Sequence, residues 1–474
     1  MKAKTHPSLR IAREEWRALV GDRAAVFGLA LLTVLMLIAA ITAWDGQRRA
    51  NAARAHYQAT VNAQFKAQPD RHPHRMVHYG QFVFRPVNPL AAFDPGIDGF
   101  TGNTLFLEGH RQNSANFGDV RQTSLLVRFG ALSPAFVLQV LAPLLLVFFG
   151  HAAIARERAS GTLRMLLAQG VRARQIVFGK LLALGGFAGL MLLPALLALM
   201  LSDDTAAAAV LVAGYTAWLL LWTLMVVLVS MLCTRSREAL LVLLATWTVL
   251  VILLPRIVPA LATAAVTVPT RFENAIGVQR DYLALGDAHN PDDPKFKAFR
   301  ERLLKQYGVT RIEDLPVNYK GLVGMEGERA SSALYGRYAA DMLDRHARQN
   351  AIVDSFGWLS PTLALRRLSM AASGTDLASF RSFMEQGERY RYQLVQGLNQ
   401  LQVNALTYAD DTTPGKENRI DHAHWRAFPA FHYIPATRAD TLQKLAPAGV
   451  ILLAWLAALS GLTWLLGGRL GRVA

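Results

Sequence analysis

The chain has 474 residues, 52% of them hydrophobic, and carries 50 Lys and Arg against 34 Asp and Glu, a formal net charge of +16. Soluble domains sit near ~45–50% apolar, so the excess is small on average and has to be concentrated in particular stretches. A single cysteine, Cys233, excludes a disulfide framework, and the polar regions must hold together by packing.

A bilayer core of ~30 Å needs roughly 20 apolar residues per helical span. Six stretches qualify, at 24–44, 131–153, 181–201, 208–232, 239–260 and 446–467. They leave two long polar regions, 45–130 and 265–445, large enough for each to bury a core. The expected fold is an all-α integral membrane protein. Six transmembrane helices carry a large, mostly helical extracytoplasmic domain built from the loops after helix 1 and helix 5.

Orientation follows from the short loops. Lys2, Lys4, Arg10, Arg13, Arg17 and Arg23 precede the first span. Arg156, Arg158, Arg164, Arg172, Arg174 and Lys180 lie between the second and third spans. Arg235, Arg237, Arg469 and Arg472 complete the set, and only Glu14, Glu15, Asp22, Glu157 and Glu238 oppose it. Short loops rich in Lys and Arg mark the cytoplasmic side. Both termini (1–23 and 468–474) and segment 154–180 are therefore expected in the cytosol. The short connection with Asp203 and Asp204 falls outside. The first apolar run is longer than the ~7–15 residues of a signal-peptide core, so it reads as an uncleaved span.

Residues 7–22 mix Leu9, Trp16, Leu19 and Val20 with Arg and Glu. They fit either an amphipathic helix in the headgroup plane or a plain juxtamembrane extension. Asp45–Gln68 is Ala-rich and nearly free of Gly and Pro, so the first helix should continue outward. From Pro69 to Gly118, Pro and Gly multiply among Phe82, Phe84, Phe93, Phe100 and Phe106, which predicts an irregular or partly β segment packed on something else. Gly185 and Gly189 have the spacing that lets helices approach closely. Arg256, between Pro255 and Pro259, either snorkels to the headgroups at a helix break or lines a substrate pathway. In the second polar region helices are expected at Pro294–Tyr307, Glu326–Phe356 and Asp376–Leu406, the last capped by Thr375 or Asp376.

No Walker A loop is present: Gly179-Lys180 and Gly415-Lys416 lack the following Ser or Thr and the upstream Gly. No HExxH or GxSxG occurs, and no catalytic residue is assigned; an enzyme is not expected. Two histidine groups, His72, His74 and His78, and His422, His424 and His432, are weak candidates for copper or zinc. The first group reads as a solvated Pro-containing loop without helical register, so no cofactor is expected. Asp292-Asp293 and Asp410-Asp411 read as turns. The basic charge is a topology signal, and no soluble module gathers it with aromatics for nucleic acid. In segment 155–180, Leu163, Leu166 and Leu167 form an apolar side suited to a cleft on a soluble partner. Arg158, Arg164 and Glu157 face the cytosol; a plain cytosolic loop is the alternative.

The pattern Glu157-Arg158-x-x-Gly161-Thr162-Leu163-x-x-Leu166-Leu167, with Val171, Ile176 and Gly179-Lys180 following, resembles the permeases of export-class ABC transporters. There it forms the coupling helix, often with Pro where this chain has Gly170. Tyr79-Gly80, Phe84-Arg85-Pro86, Pro89-Leu90, Asp94-Pro95-Gly96 and Leu107-Glu108-x-His110-Arg111-Gln112-Asn113 are similar to one bacterial subfamily with a large extracytoplasmic domain of unassigned function. So are Leu315-Pro316-Val317-Asn318, Leu359-Ser360-Pro361, Gly374-Thr375-Asp376 and Glu388-x-Tyr390-Arg391. The resemblance implies a membrane subunit in the bacterial inner membrane, working with a separate ABC ATPase subunit and a second permease subunit, identical or similar. Its coupling residues would be Glu157, Arg158, Gly161, Thr162, Leu163, Leu166, Leu167 and Lys180. Two rivals stand beside it: a non-transporting sensor or assembly factor with an extracytoplasmic ligand-binding domain, and a membrane enzyme using the outer histidines.

Overall fold

A computed structural model describes residues 6–113, 132–200, 202–286, 290, 293–416 and 418–470. Lys2, Lys4, Arg472, Asp292 and the expected boundary of the first polar region with the second span lie outside them. The structure is mostly helical. Six helices are long and apolar enough to cross a membrane, as in a multi-pass membrane protein: α2 (Arg23–Lys66), α4 (Pro134–Ala159), α6 (Ala173–Leu199), α7 (Thr205–Leu232), α8 (Ser236–Ala265) and the apolar part of α14 (Arg438–Arg469). A further helix, α1 (Pro7–Gly21), precedes them. The 44 residues of α2 extend about 66 Å at ~1.5 Å per residue, twice the ~30 Å hydrocarbon core. The expected outward continuation of the first helix therefore runs to Lys66.

Two spans carry a wide π-type turn, at Val137–Leu141 in α4 and at Thr248–Leu253 in α8. Pro143 and Pro255 follow them closely. A proline ring removes a backbone donor and crowds the preceding turn, and a wider turn accommodates it. The carbonyls this releases find side-chain donors, as a dry environment demands. Trp218 Nε1 donates to the Leu138 carbonyl at 3.1 Å, and Trp247 Nε1 to that of Val140 at 3.1 Å. Ser360 Oγ donates to the Leu250 carbonyl at 2.8 Å. The helix break entertained at Arg256 does not occur, because α8 continues to Ala265.

The polar regions form one connected structure. In the first, α3 (Pro73–Val77) leads into an antiparallel pair, β1 (Gln81–Phe84) and β2 (Thr104–Leu107), in register Gln81 to Leu107. Among the described residues the fold is thus helical with one short ribbon, as the Pro- and aromatic-rich sequence of this segment implied. The second region contributes α9 (Arg271–Leu283), α10 (Pro294–Tyr307), α11 (Tyr319–Ser355), α12 (Pro361–Ser373) and α13 (Leu377–Ala405). Asp376 is the cap of α13, accepting the Ser379 N–H at 3.0 Å, while Thr375 Oγ1 donates instead to the Asp94 carbonyl at 3.0 Å. Val83, Leu105 and Leu107 of the ribbon pack on Phe383 and Met384 of α13.

The helix α12 was not expected. Pro361 starts it and Gly374, at φ +66°, ends it. It sits against α7, where a Cβ on Gly214 would lie 2.8 Å from Leu368 Cδ2. This wedge ties the polar region to the spans. By contrast, Gly185 and Gly189 meet nothing within 4 Å, so the close helix approach expected there is absent. It is made by Gly179 and Gly186 instead. Added Cβ atoms there would lie 2.8 Å from Ile11 Cβ and 3.1 Å from Trp16 Cζ3 of α1.

Between α11 and α13 the guanidinium of Arg391, 1% exposed, is enclosed by carboxylates. Its Nη1 lies 2.6 Å from Glu328 Oε1, its Nη2 2.7 Å from Glu388 Oε1, and its Nη1 also donates to the Glu108 carbonyl at 3.2 Å. Removing one member of a buried ion pair costs about 3–5 kcal/mol, because the partner charge stays buried. Arg391→Met should therefore lower the thermal unfolding midpoint of the detergent-solubilised chain by several degrees. Arg329→Ala, which removes an exposed pair with Glu326, should shift it by little, as exposed pairs contribute ~0–1 kcal/mol.

Candidate functional site

The basic segment between the second and third spans folds as an elbow. The last turn of α4, Ala155–Ala159, is followed by Gly161 at φ +79° and then by a short helix α5 (Thr162–Ala168). Gly170, at φ +82°, closes α5 before α6 begins. Both glycines occupy the left-handed region that a side chain disfavours, and nothing lies within 4 Å of where a Cβ on Gly161 would sit.

Several predicted coupling residues turn inward. Leu163 is buried, and Leu166 and Leu167, partly buried, pack on the same core as the spans, so the apolar side of α5 rests on its own chain. Lys180 is 1% exposed. Its Nζ donates to Glu15 Oε2 of α1 at 2.6 Å and also to Glu157 of the elbow. Arg158 is likewise drawn in, with Nη1 donating to the Cys233 carbonyl at 3.1 Å. Ser230 Oγ of α7 accepts the Ile154 and Ala155 N–H groups at 3.0 and 3.1 Å. Glu157 and Arg158 are therefore half-buried and turned toward partners on their own chain, in place of the fully cytosol-facing charges expected. Thr162 is half-buried, its hydroxyl 2.9 Å from Ser160 Oγ. The surface left open carries Arg156, Arg164, Met165, Ala168, Gln169 and Arg172. Glu15 was not singled out in the sequence, where it is one of three acids, with Glu14 and Asp22, in a leader with six basic residues.

Arg256 is exposed on α8. A polar group among the spans lies elsewhere, where α12 meets α4 and α7. Gln139 Nε2 donates to Tyr215 Oη at 2.8 Å, Tyr215 Oη lies 2.9 Å from Ser369 Oγ, and Arg366 Nε donates to Gln139 Oε1 at 3.3 Å. Asp94 sits beside it. Burial pushes its carboxyl above the ordinary carboxylate range, with Ser369 and the Gly96 N–H opposing the rise. A cavity of about 370 Å³, which shares no lining residue with this group, is lined by Arg85, Asn88, Asp204, Ser379, Tyr433 and Thr441 among others. The glutamine within an apolar run was the one readable sign of this site.

The histidines separate. His72 caps α3 and its Nε2 lies 2.5 Å from Asp411 Oδ1. Asp411 also accepts from Asn318 Nδ2 at 2.6 Å and from Gln402 Nε2 at 2.8 Å. Burial of Asp411 is outweighed by these donors, which hold its carboxyl below the usual range. Asp411 is thus more than a turn residue. His422 pairs with Asp70 at 2.8 Å, and His422, His424 and His432 are all exposed; they do not converge. His74 and His78 do come together, and the helical turn of α3 corrects the expectation of a loop without register. The third ring beside them is His110, which the sequence placed in a different motif.

If the Lys180 anchor holds the elbow, Lys180→Met leaves two buried carboxylates without their cation, a loss of about 3 kcal/mol. Amides of residues 155–169 should then exchange hydrogen at least roughly tenfold faster in the purified chain, given ~1.4 kcal/mol per decade. Arg164→Ala should leave their exchange unchanged. Equal exchange in both variants would remove the anchor from the argument.

Residues 271–434 match the family model described as Domain of unknown function (DUF3526). The match covers α9 to α13, including Glu328 and Arg391, but neither the elbow nor any of the six spans. No curated protein matches the chain.

Proposed function

We propose that this chain is a membrane-spanning permease subunit of an ABC transporter of the export class, with both termini and the elbow in the cytosol of a bacterial cell. ATP is hydrolysed by a separate ATPase subunit, and a second permease subunit, identical or similar, completes the pathway across the inner membrane. The observation that carries this reading is the elbow. It is a compact basic knuckle at one end of the spans, hinged at two glycines and joined by a buried lysine to a surface helix.

The exposed face of α5, with Arg164, Met165, Ala168 and Gln169, is what an ATPase would touch. Binding energy shifts a two-state equilibrium only through contacts that differ between states. A knuckle whose inner face is fastened to α1, α6 and α7 transmits such a difference to three helices together. At the other end, the polar region and the 370 Å³ cavity are the place where substrate is received or released.

The test is copurification of the native complex. The wild-type chain should bring down an ATPase subunit from its own host's membranes. Met165→Glu with Arg164→Glu should abolish that recovery while leaving the expression and melting profile of the chain unchanged. A wild-type chain that brings down no ATPase would favour the sensor or assembly-factor reading.

A further inference from the structure

We infer that His74, His78 and His110 form a binding site for a first-row transition-metal ion that prefers imidazole, Zn²⁺ or Cu²⁺, with Glu328 orienting the third ligand. This inference does not rest on the transport reading.

The first two ligands come from one turn of backbone. His74 lies within α3 and His78 caps its C-terminus in helical geometry. A spacing of four puts both rings on one face. Their Nε2 atoms are 3.2 Å apart and their ring centroids 4.7 Å. Two nitrogens bonded tetrahedrally to one zinc at ~2.0–2.1 Å are separated by about 3.3–3.4 Å, so this pair already has the right spacing.

The third ring arrives from beyond β2. The Gly109 N–H donates to the Val77 carbonyl at 3.2 Å, knitting this strand end to α3. His110 then adopts φ +62°, the one non-glycine residue with positive φ among the described residues. Its backbone N–H donates to Glu328 Oε2 at 2.8 Å, and its ring Nδ1 lies 3.3 Å from the same oxygen. The ring is thereby aimed at His74 and His78, with centroid distances of 5.6 and 5.2 Å. One ligand atom from each histidine lies within 4.8 Å of the others.

Three features separate this cluster from histidines that merely meet. His74 and His78 meet at hydrogen-bonding distance, while the buried Nε2 of His110 has no hydrogen-bond partner among the described residues; a buried polar atom in that condition costs free energy until something binds it. A carboxylate on Nδ1 fixes the tautomer that leaves the Nε2 lone pair available, the second-sphere arrangement common in metal-binding histidines. Glu328 is itself fully buried and locked by Arg391 Nη1 at 2.6 Å.

An all-imidazole donor set favours zinc or copper and disfavours magnesium and calcium, which take oxygen ligands. Three protein ligands leave a fourth position for water or an incoming group, and His78 opens it toward solvent. A bound ion would staple α3 and the end of β2 to α11. The other group of the same kind, Asp70, Asp421 and His422, is exposed throughout and shows no such orienting contact.

The experiment uses the full-length, untagged chain in detergent, stripped with a chelator and titrated with Zn²⁺ against a chromophoric competitor. Cu²⁺ and Mg²⁺ are run in parallel, and Co²⁺ reports geometry by its visible absorption. One equivalent of Zn²⁺ per chain is expected, with no competition from excess Mg²⁺. His78→Gln and His110→Gln should each abolish it, and Glu328→Gln should weaken it about 10–100-fold. His424→Gln should leave it intact. His78 is exposed, so its replacement does not threaten folding, which gel filtration and circular dichroism confirm in each variant. Failure of the wild-type chain to retain stoichiometric Zn²⁺ or Cu²⁺ would overturn the site, as would retention unchanged in a folded His78→Gln variant.

Discussion

A lysine ammonium with almost no contact with water, held between two carboxylates from different parts of the chain, sets the geometry of one whole end of the molecule. Lys180 belongs to α6, Glu15 to α1 and Glu157 to the elbow. Taking such charges out of water costs several kcal/mol per ion, and only close pairing with further hydrogen bonds offsets it. The three elements therefore cannot separate without exposing a charge or stranding one. Arg156, 3.9 Å from Glu15 Oε2, adds positive charge where two acids meet one lysine. Gly179, the residue before this lysine, lets α1 approach α6 within backbone contact distance, and that approach brings Glu15 within reach.

The consequence for the elbow is a division of labour between its two faces. Leu163, Glu157 and Arg158 fasten it inward; Arg164, Met165 and Gln169 remain for contact. A sequence reading assigns exposed charges to a cytosolic loop by default, since isolated charges are rarely buried. It could not see that Glu157 has a lysine partner more than twenty positions on and that Arg158 reaches the end of α7. The place of this basic segment between two long apolar helices was legible. Which of its residues point outward depends on tertiary partners, and no local pattern encodes those.

The same distinction runs through the rest of the chain. Long apolar runs specified the six helices long enough to cross a membrane, and Ala-rich composition specified the length of α2 beyond its apolar run. The caps and spacing of Pro294–Tyr307 gave the bounds of α10, and Asp376 capped α13 as one of two anticipated choices. What escaped was what depends on distant pairs. The wedge α12 carries Arg366 and Arg367 in sequence, which argues for a surface helix. It is nevertheless packed against α7 and α14, because Arg366 reaches Gln139 and Arg367 reaches Asp354 and Asp376. His110 was grouped with Glu108 and Arg111 as part of a motif, whereas its spatial partners are His74 and His78. Histidine spacing along the chain finds ligands that share a helical turn, and it misses one supplied from across a hairpin.

The span α7 touches both the elbow and the polar group at α12. Near one terminus Ser230 accepts two N–H groups of the elbow, and fifteen residues earlier Tyr215 meets Ser369 of α12. At ~1.5 Å per residue these contacts are about 22 Å apart along one helix. Between them Trp218 and Trp222 are fully buried, and Trp218 also holds the carbonyl released by the π turn of α4. Contiguity of this kind carries no coupling energy by itself; a two-state element that both ends bias is also required. On the transport reading proposed above, the candidates for such an element are the elbow, bounded by Gly161 and Gly170, and the wide turns of α4 and α8, where side chains hold carbonyls outside the helix ladder. Close-packed interiors switch between discrete arrangements and do not deform continuously. On that same reading, a displacement entering at the elbow would reach the polar region through α7, with the π turns as the places where its neighbours can yield.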